Sequence, residues 1–276
     1  MSDSIEVRAA DGHVTRLEVF GTAGSPGVLF LPGLGVPISY YRPFLRLWAE
    51  AGYHVHGLEL RGMPHSSIDN VRTTDFGYHH ALALDIPAAL AAMPSPAGVI
   101  AGHSLGGQLA LLFAASNPSS AAVVVIASGS SYHGTVGTRR GRRIRRRQAA
   151  AVPLIVRTLG YFPGHRLGFG GRQPRSMMRD WALEALTGRF ELAGSTVDHE
   201  AAIAAMRNRV LMLTLEGDKL ITEAAAAYLS ERLTSASLTT ERVGVDKNDR
   251  VAFDHFRWAR TNPGAILAPV AAWLRA

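Results

Sequence analysis

Ala97-Gly98-Val99-Ile100-Ala101-Gly102-His103-Ser104-Leu105-Gly106-Gly107-Gln108-Leu109-Ala110-Leu111-Leu112-Phe113 is the stretch on which the fold turns. Its first five residues are an apolar run of strand length, and its last seven read as an apolar helix. Between them stands G-x-S-x-G. A strand, that pentapeptide and a helix form a sharp turn that lifts a serine hydroxyl above the end of a sheet. Glycines are needed on either side because a Cβ there would collide with the neighbouring strand or helix. The new helix also aims its positive end at the serine.

Working outward, the same alternation recurs. Ile5–Ala9 and Val14–Phe20 alternate apolar and polar residues across Asp11-Gly12, which predicts an N-terminal hairpin. Val28-Leu29-Phe30-Leu31 is continuously apolar and ends at Pro32-Gly33, the mark of a strand buried on both faces. A helix over Tyr41–Gly52 and a strand over Tyr53–Leu58 follow, then a loop and long helix within Thr73–Met93. Ala121–Ala127 is another apolar strand. Strand after helix after strand predicts a mostly parallel twisted sheet with helices on both faces.

From Ser131 to Glu200 the pattern turns helical, broken by Gly and Pro, with no strand expected. The strand rhythm resumes at Arg209–Leu215, with the helix Glu223–Leu233, the strand Ser237–Val243 and a last helix ending Pro269–Leu274. The expected organisation is a core over 1–130, an inserted helical cap over 131–200, and the rest of the core over 201–276.

A serine hydroxyl is a weak nucleophile and needs a base within reach, held in turn by an acid. In this topology the order is Ser, then acid, then His. Ser104 is the expected nucleophile. The acid should stand just past the strand that follows the insertion, where the chain reads Leu215-Glu216-Gly217-Asp218. Asp218 is the first choice and Glu216 the fallback; Asp246, Asp249 and Asp254 come after the last strand and suit the role less. The base should lie between the last strand and the last helix. His255 does, and no other histidine follows His199. The oxyanion donors expected are the backbone N–H groups of Leu105 and Leu34, with Gly33 the alternative to Leu34. Tyr40, Tyr41 and His103 are the candidate pocket residues beside them. Leu154, Ile155, Leu159, Tyr161, Phe162, Leu167, Phe169, Met177, Met178 and Trp181 either line an acyl pocket or pack the cap. His54/His56 and His79-His80 lack a third ligand at useful spacing, so no metal site is expected.

With these residues the chain resembles α/β-hydrolases of the serine-aminopeptidase-like or "predicted hydrolase" group, over roughly Gly27 to Trp273. Tyr40–Phe44, Leu60–Met63, Gly102–Gln108, Ala127–Tyr132, Tyr161–Gly164, Met177–Trp181 and Asp254–Phe256 carry the similarity. The resemblance implies a Ser/Asp/His hydrolase with a helical cap and no cofactor. It names no substrate. One departure is Leu31-Pro32-Gly33, where many relatives have His-Gly.

The chain has 276 residues, no cysteine and a net charge of +7. The charge is local. Residues 131–200 hold 13 arginines and 5 acids, a net of +8, which leaves 16 basic and 17 acidic residues elsewhere, a net of −1. Seven arginines fall within Arg139–Arg147. The run reads first as a solvated stretch paired loosely with acids elsewhere, and three partners compete with that reading: an anionic ligand or acidic carrier, an anionic membrane surface, or nucleic acid. No aromatic interleaving supports the last, so no nucleic acid is expected. Neither a secretory leader nor an 18-residue apolar run is evident, which predicts a cytoplasmic protein.

The activity expected is esterase- or lipase-like cleavage of a carboxylic ester of a moderately hydrophobic small-molecule acyl substrate, through an acyl-enzyme. Two alternatives stay open: amide or thioester cleavage or acyl transfer by the same residues, and a ligand receptor without turnover.

Overall fold

The computed structural model describes residues 3–244 and 254–276. Asp246 and Asp249, weighed above as acids, lie outside the described residues.

Eight strands form one sheet in the order β1-β2-β4-β3-β5-β6-β9-β10. β1 (Asp3–Arg8) and β2 (Val14–Phe20) make the expected antiparallel hairpin, and β2 runs antiparallel to β4 (His54–Leu58). From β4 onward the sheet is parallel, through β3 (Gly27–Leu31), β5 (Ala97–His103), β6 (Ala122–Ile126), β9 (Arg209–Leu215) and β10 (Ser237–Val243). β3, β4 and β6 are buried along their whole length, as strands covered on both faces must be.

Strand alternation divides the apolar residues between two cores. Leu29, Leu31, Val123, Val125, Val210 and Met212 face one side, packed with Leu109 and Leu112 of α4 (Leu105–Ser116) and Ile86 of α3 (Ile86–Ala92). Val28, Phe30, Val124, Ile126, Leu211 and Leu213 face the other. There they meet Phe44 and Trp48 of α1 (Arg42–Glu50), Trp258 of α10 (Trp258–Thr261) and Ile266 of α11 (Pro263–Arg275). α4 is buried on nearly every side, which explains its uniformly apolar sequence. The long helix expected before β5 is α2 (Tyr78–His80) and α3 joined by a π-helical turn, Ala81–Asp85.

Between β6 and β9 come α5 (Arg139–Leu159), α6 (Gly164–Leu167), α7 (Arg175–Thr187) and α8 (His199–Ala205). This segment has its own apolar cluster of Val152, Val156, Phe162, Met178 and Ala182. It differs from the strand-free expectation by one miniature hairpin, β7 (Phe162–Pro163) against β8 (Arg172–Gln173). Two-residue strands leave no periodicity to read. The intervening turn, with Gly168, Gly170 and Gly171 all at positive φ, presses on Leu34 and Gly35. After β9, α9 (Glu223–Ser230) leads to β10, whose outer residues stay exposed at the sheet edge. No helix among the described residues is long and apolar enough to cross a membrane.

Candidate active site

Ser104 sits between β5 and α4 at φ 54°, ψ −118°, a conformation that non-glycine residues rarely adopt. Its surroundings hold it there. A Cβ on Gly102 would overlap the Gly106 carbonyl, and one on Gly106 the Leu31 carbonyl. Ser104 N–H donates to the Ile126 carbonyl at 3.0 Å, and the Ser128 hydroxyl donates to the Ser104 carbonyl at 2.7 Å. Ser128 follows Ala127, the other non-glycine residue at positive φ among the described residues. Two strained turns therefore brace each other. Sequence reading missed the Ser128 contact, because no periodicity or spacing links residues on neighbouring strand ends.

His255 meets Ser104 from α10's side of the sheet. Its Nε2 lies 3.1 Å from Ser104 Oγ, and its Nδ1 lies 2.6 Å from Asp218 Oδ2. A carboxylate only accepts, so the ring proton sits on Nδ1 and Nε2 turns its lone pair to the serine. Asp218 Oδ1 accepts from the Leu220 and Ile221 N–H groups at 2.7 and 2.9 Å, which fixes the carboxylate plane. The Asp218 side chain is fully buried. The other candidate acids are engaged elsewhere. Glu216 is exposed and 3.7 Å from Arg242, and Asp254 accepts from the Phe256 and Arg257 N–H groups.

The loop after β3 distinguishes the two possible oxyanion donors. Gly33 N–H donates to the Tyr41 hydroxyl at 3.0 Å, so it is already used, and Val36 N–H bonds the Gly33 carbonyl. That leaves Leu34 as the candidate of the pair. Leu105 opens α4, where an N–H has no carbonyl one turn back.

Tyr41 and His103 are both buried, 1% and 0% exposed, and neither lines the cavity beside Leu34 and Leu105. Tyr41's hydroxyl lies 2.7 Å from His103 Nδ1 while accepting from Gly33. His103 in turn packs against the His255 ring at 4.7 Å between centroids. They are a buried strut joining the loop after β3 to His255. Burial, and secondarily the neighbouring His255, hold His103 well below the usual histidine range, so it stays neutral. Burial likewise pushes the Tyr41 hydroxyl up. Tyr40 is half-buried under the Arg260 guanidinium, 5.3 Å from its ring centre.

The cavity at the site lies elsewhere, on the side of Leu34 and Leu105. It measures about 20 Å³ and is walled by Leu60, Met63, Phe76, Leu109 and Met177, with Arg61 and Asp85 on its lining. Met177 is thus the one apolar residue of the earlier ten that reaches it. Met178 and Phe162 pack within the 131–200 segment, and Leu154, Leu159 and Leu167 are exposed. Arg61 is saturated: it chelates Asp85 at 2.7–2.9 Å and reaches Asp11 at 2.7 Å. That bond to Arg61 holds the Asp11 carboxyl down at about 2. Among the described residues no group of three or more His, Asp or Glu side chains could hold a metal.

A sequence model of the alpha/beta hydrolase family matches residues 28–266. A protein carrying the name carbamate hydrolase RutD, from Variovorax paradoxus (strain S110), is 34% identical over 103 residues, covering 37% of this chain and 37% of the relative. The alpha/beta hydrolase GrgF of Penicillium sp. sh18 superposes with a TM-score of 0.66 at 16% identity, over 100% of this chain and 98% of its own. Esterase RhEst1 of Rhodococcus sp. ECU1013 gives 0.61 at 18%, over 100% and 99%. At such identities the two structures speak for the fold alone.

Proposed function

The chain belongs to the alpha/beta hydrolase family, and we propose that it is a serine hydrolase cleaving a carboxylic ester of a small acyl group. The observation that carries this reading is the hydrogen-bonded line Ser104–His255–Asp218, at 3.1 and 2.6 Å. As Ser104 Oγ attacks the carbonyl carbon, its proton passes to His255 Nε2, and Asp218 stabilises the imidazolium. The carbonyl oxygen becomes an oxyanion held by the N–H groups of Leu34 and Leu105. Collapse breaks the bond to the leaving oxygen, which takes the proton from His255. Water, deprotonated by His255, then attacks the acyl-enzyme and releases the acid and Ser104.

Residues 131–200 act as the cap of this site. Met177 closes the apolar cavity beside the oxyanion donors, and at about 20 Å³ it has room for little more than a water, so an acyl group enters as Met177 moves. A second reading, carbamate cleavage, draws support from the partial identity to the RutD protein. The same serine would attack the carbamate carbonyl.

The test is hydrolysis of p-nitrophenyl esters from acetate to laurate, with a p-nitrophenyl carbamate alongside and Ser104→Ala as control. Turnover is expected to peak at the short esters and to fall about 10⁴-fold or more in the variant. Turnover of the carbamate alone supports the second reading. Activity kept by Ser104→Ala overturns both.

A further inference from the structure

α5 is 21 residues long, about 31 Å at 1.5 Å per residue, and its burial is one-sided. Ala149, Val152 and Val156 are buried, on the side that packs against α7. Arg139, Arg140, Arg142, Arg143, Arg146 and Arg147 are exposed. Among the described residues none of these six has an ion-pair partner. The chain supplies little to neutralise them: twelve arginines and no Asp or Glu stand between Asp85 and Asp180. Arg145 alone turns inward, half-buried with its guanidinium 6.0 Å from the Trp181 ring centre.

The outward face also carries an apolar side chain, Leu154, which is 66% exposed. Leu154 follows Arg143 by eleven residues and Arg147 by seven. At 3.6 residues per turn it falls within about 20° of both around the helix. On this exposed face Leu154 therefore stands beyond the arginines of the first half, with exposed Arg157 about 60° round from it.

We propose that this face of α5 docks the protein on an anionic lipid surface. The six guanidinium groups fan over roughly 160° of the helix surface and do not converge on a pocket. Such a fan suits a plane of many phosphates better than one bound ligand. Arginine stems lie along an interface with their heads at phosphate level, and Leu154 enters the acyl boundary beside them. A nucleic acid would use the arginines and leave Leu154 in water. An acidic protein face would have to match both the fan and Leu154. The docked helix backs onto α7, which carries Met177 at the cavity.

The experiment is co-sedimentation of the full chain with vesicles of phosphatidylglycerol and, separately, of phosphatidylcholine. Binding is expected to the anionic vesicles only. The Arg142→Ser/Arg143→Ser/Arg146→Ser/Arg147→Ser variant should bind at least about a hundredfold more weakly, since each basic residue near such a surface contributes roughly a factor of five. Leu154→Ser should weaken binding several-fold without any change in charge. Should the fourfold variant fail to unfold cooperatively in urea, the Arg143→Ser/Arg147→Ser pair replaces it. Absence of binding to anionic vesicles, or equal binding by the variants, overturns the proposal. So does tighter retention on polyglutamate or duplex DNA with Leu154→Ser indistinguishable from wild type, which would assign the face to an acidic protein or a nucleic acid. Vesicle binding is read without turnover, so failure of the ester reading leaves this test intact.

Discussion

The sheet-end site and the outward face of α5 handle charge in opposite ways. Towards the site, several buried charged groups are paired. Arg61 lies between Asp85 and Asp11, Glu18 takes both Arg42 and Arg16, and Asp218 holds His255. On α5 six arginines stand exposed and, among the described residues, without an ion-pair partner. A buried charge without a partner is costly, whereas an exposed one is solvated and stays available to a partner from outside. Pairing thus marks where the protein fixes geometry, and its absence marks where the protein is open to its surroundings.

The largest effect that would sharpen this contrast is at the site. Asp218→Asn keeps the shape but lets the side-chain amide point at Nδ1, which stabilises the wrong tautomer of His255. A fall of about 10⁴-fold in kcat is expected, with the urea midpoint close to wild type. A drop of less than tenfold would remove Asp218 from the reaction.

Arg61→Met should come next. It leaves Asp85 and part of Asp11 uncompensated, and about 3–5 kcal/mol of stability should disappear in urea unfolding. Arg146→Met on α5, by comparison, should change stability by less than about 0.5 kcal/mol. Equal losses at the two positions would break the comparison outright.

Titration gives a third check. Burial pushes the Glu59 carboxyl up to about 7 although it accepts from the Ile38 N–H, and burial raises Asp180 to about 6. A raised carboxylate pKa means the folded state keeps its proton longer than the unfolded chain. The stability it contributes is then present below about 4.5 and lost as pH rises towards 7. Wild type should lose stability between pH 5 and pH 8, and Glu59→Gln should flatten that slope by on the order of 2 kcal/mol. An unchanged slope would mean that Glu59 is solvated in the folded protein.

The smallest expected effect is at the strut. Tyr41→Phe removes the hydroxyl that receives the Gly33 N–H and contacts His103. The freed N–H no longer anchors the loop carrying Leu34, and kcat should fall about tenfold with KM little changed. A change confined to KM would make Tyr41 a pocket residue after all.

Much of the architecture could be read before any coordinates. The apolar runs at Val28–Leu31 and Ala121–Ala127 mark buried parallel strands because a strand covered on both faces has no polar side to show. The order Ser104, Asp218, His255 follows from the same strand rhythm, since Ser104 and Asp218 stand just past strand ends and His255 lies between the last strand and the helices that close the chain. These features are local, or repeat at a fixed interval, and a sequence records them directly.

Only the tertiary structure could decide the rest. Tyr41 looks like a pocket residue by its position beside the oxyanion loop, yet its hydroxyl is drawn inward by Gly33 and by His103, 62 residues later. Arg61, Asp85 and Asp11 are unremarkable apart and become one ion-pair cluster when β4's end, the π turn and the first hairpin meet. The arginine run, too, has no direction until α5 is seen to bury Val152 and Val156 and turn the basic residues outward. Periodicity tells which way a side chain points relative to its own element. Which partner waits there depends on chain crossings dozens of residues apart, and packing alone sets those.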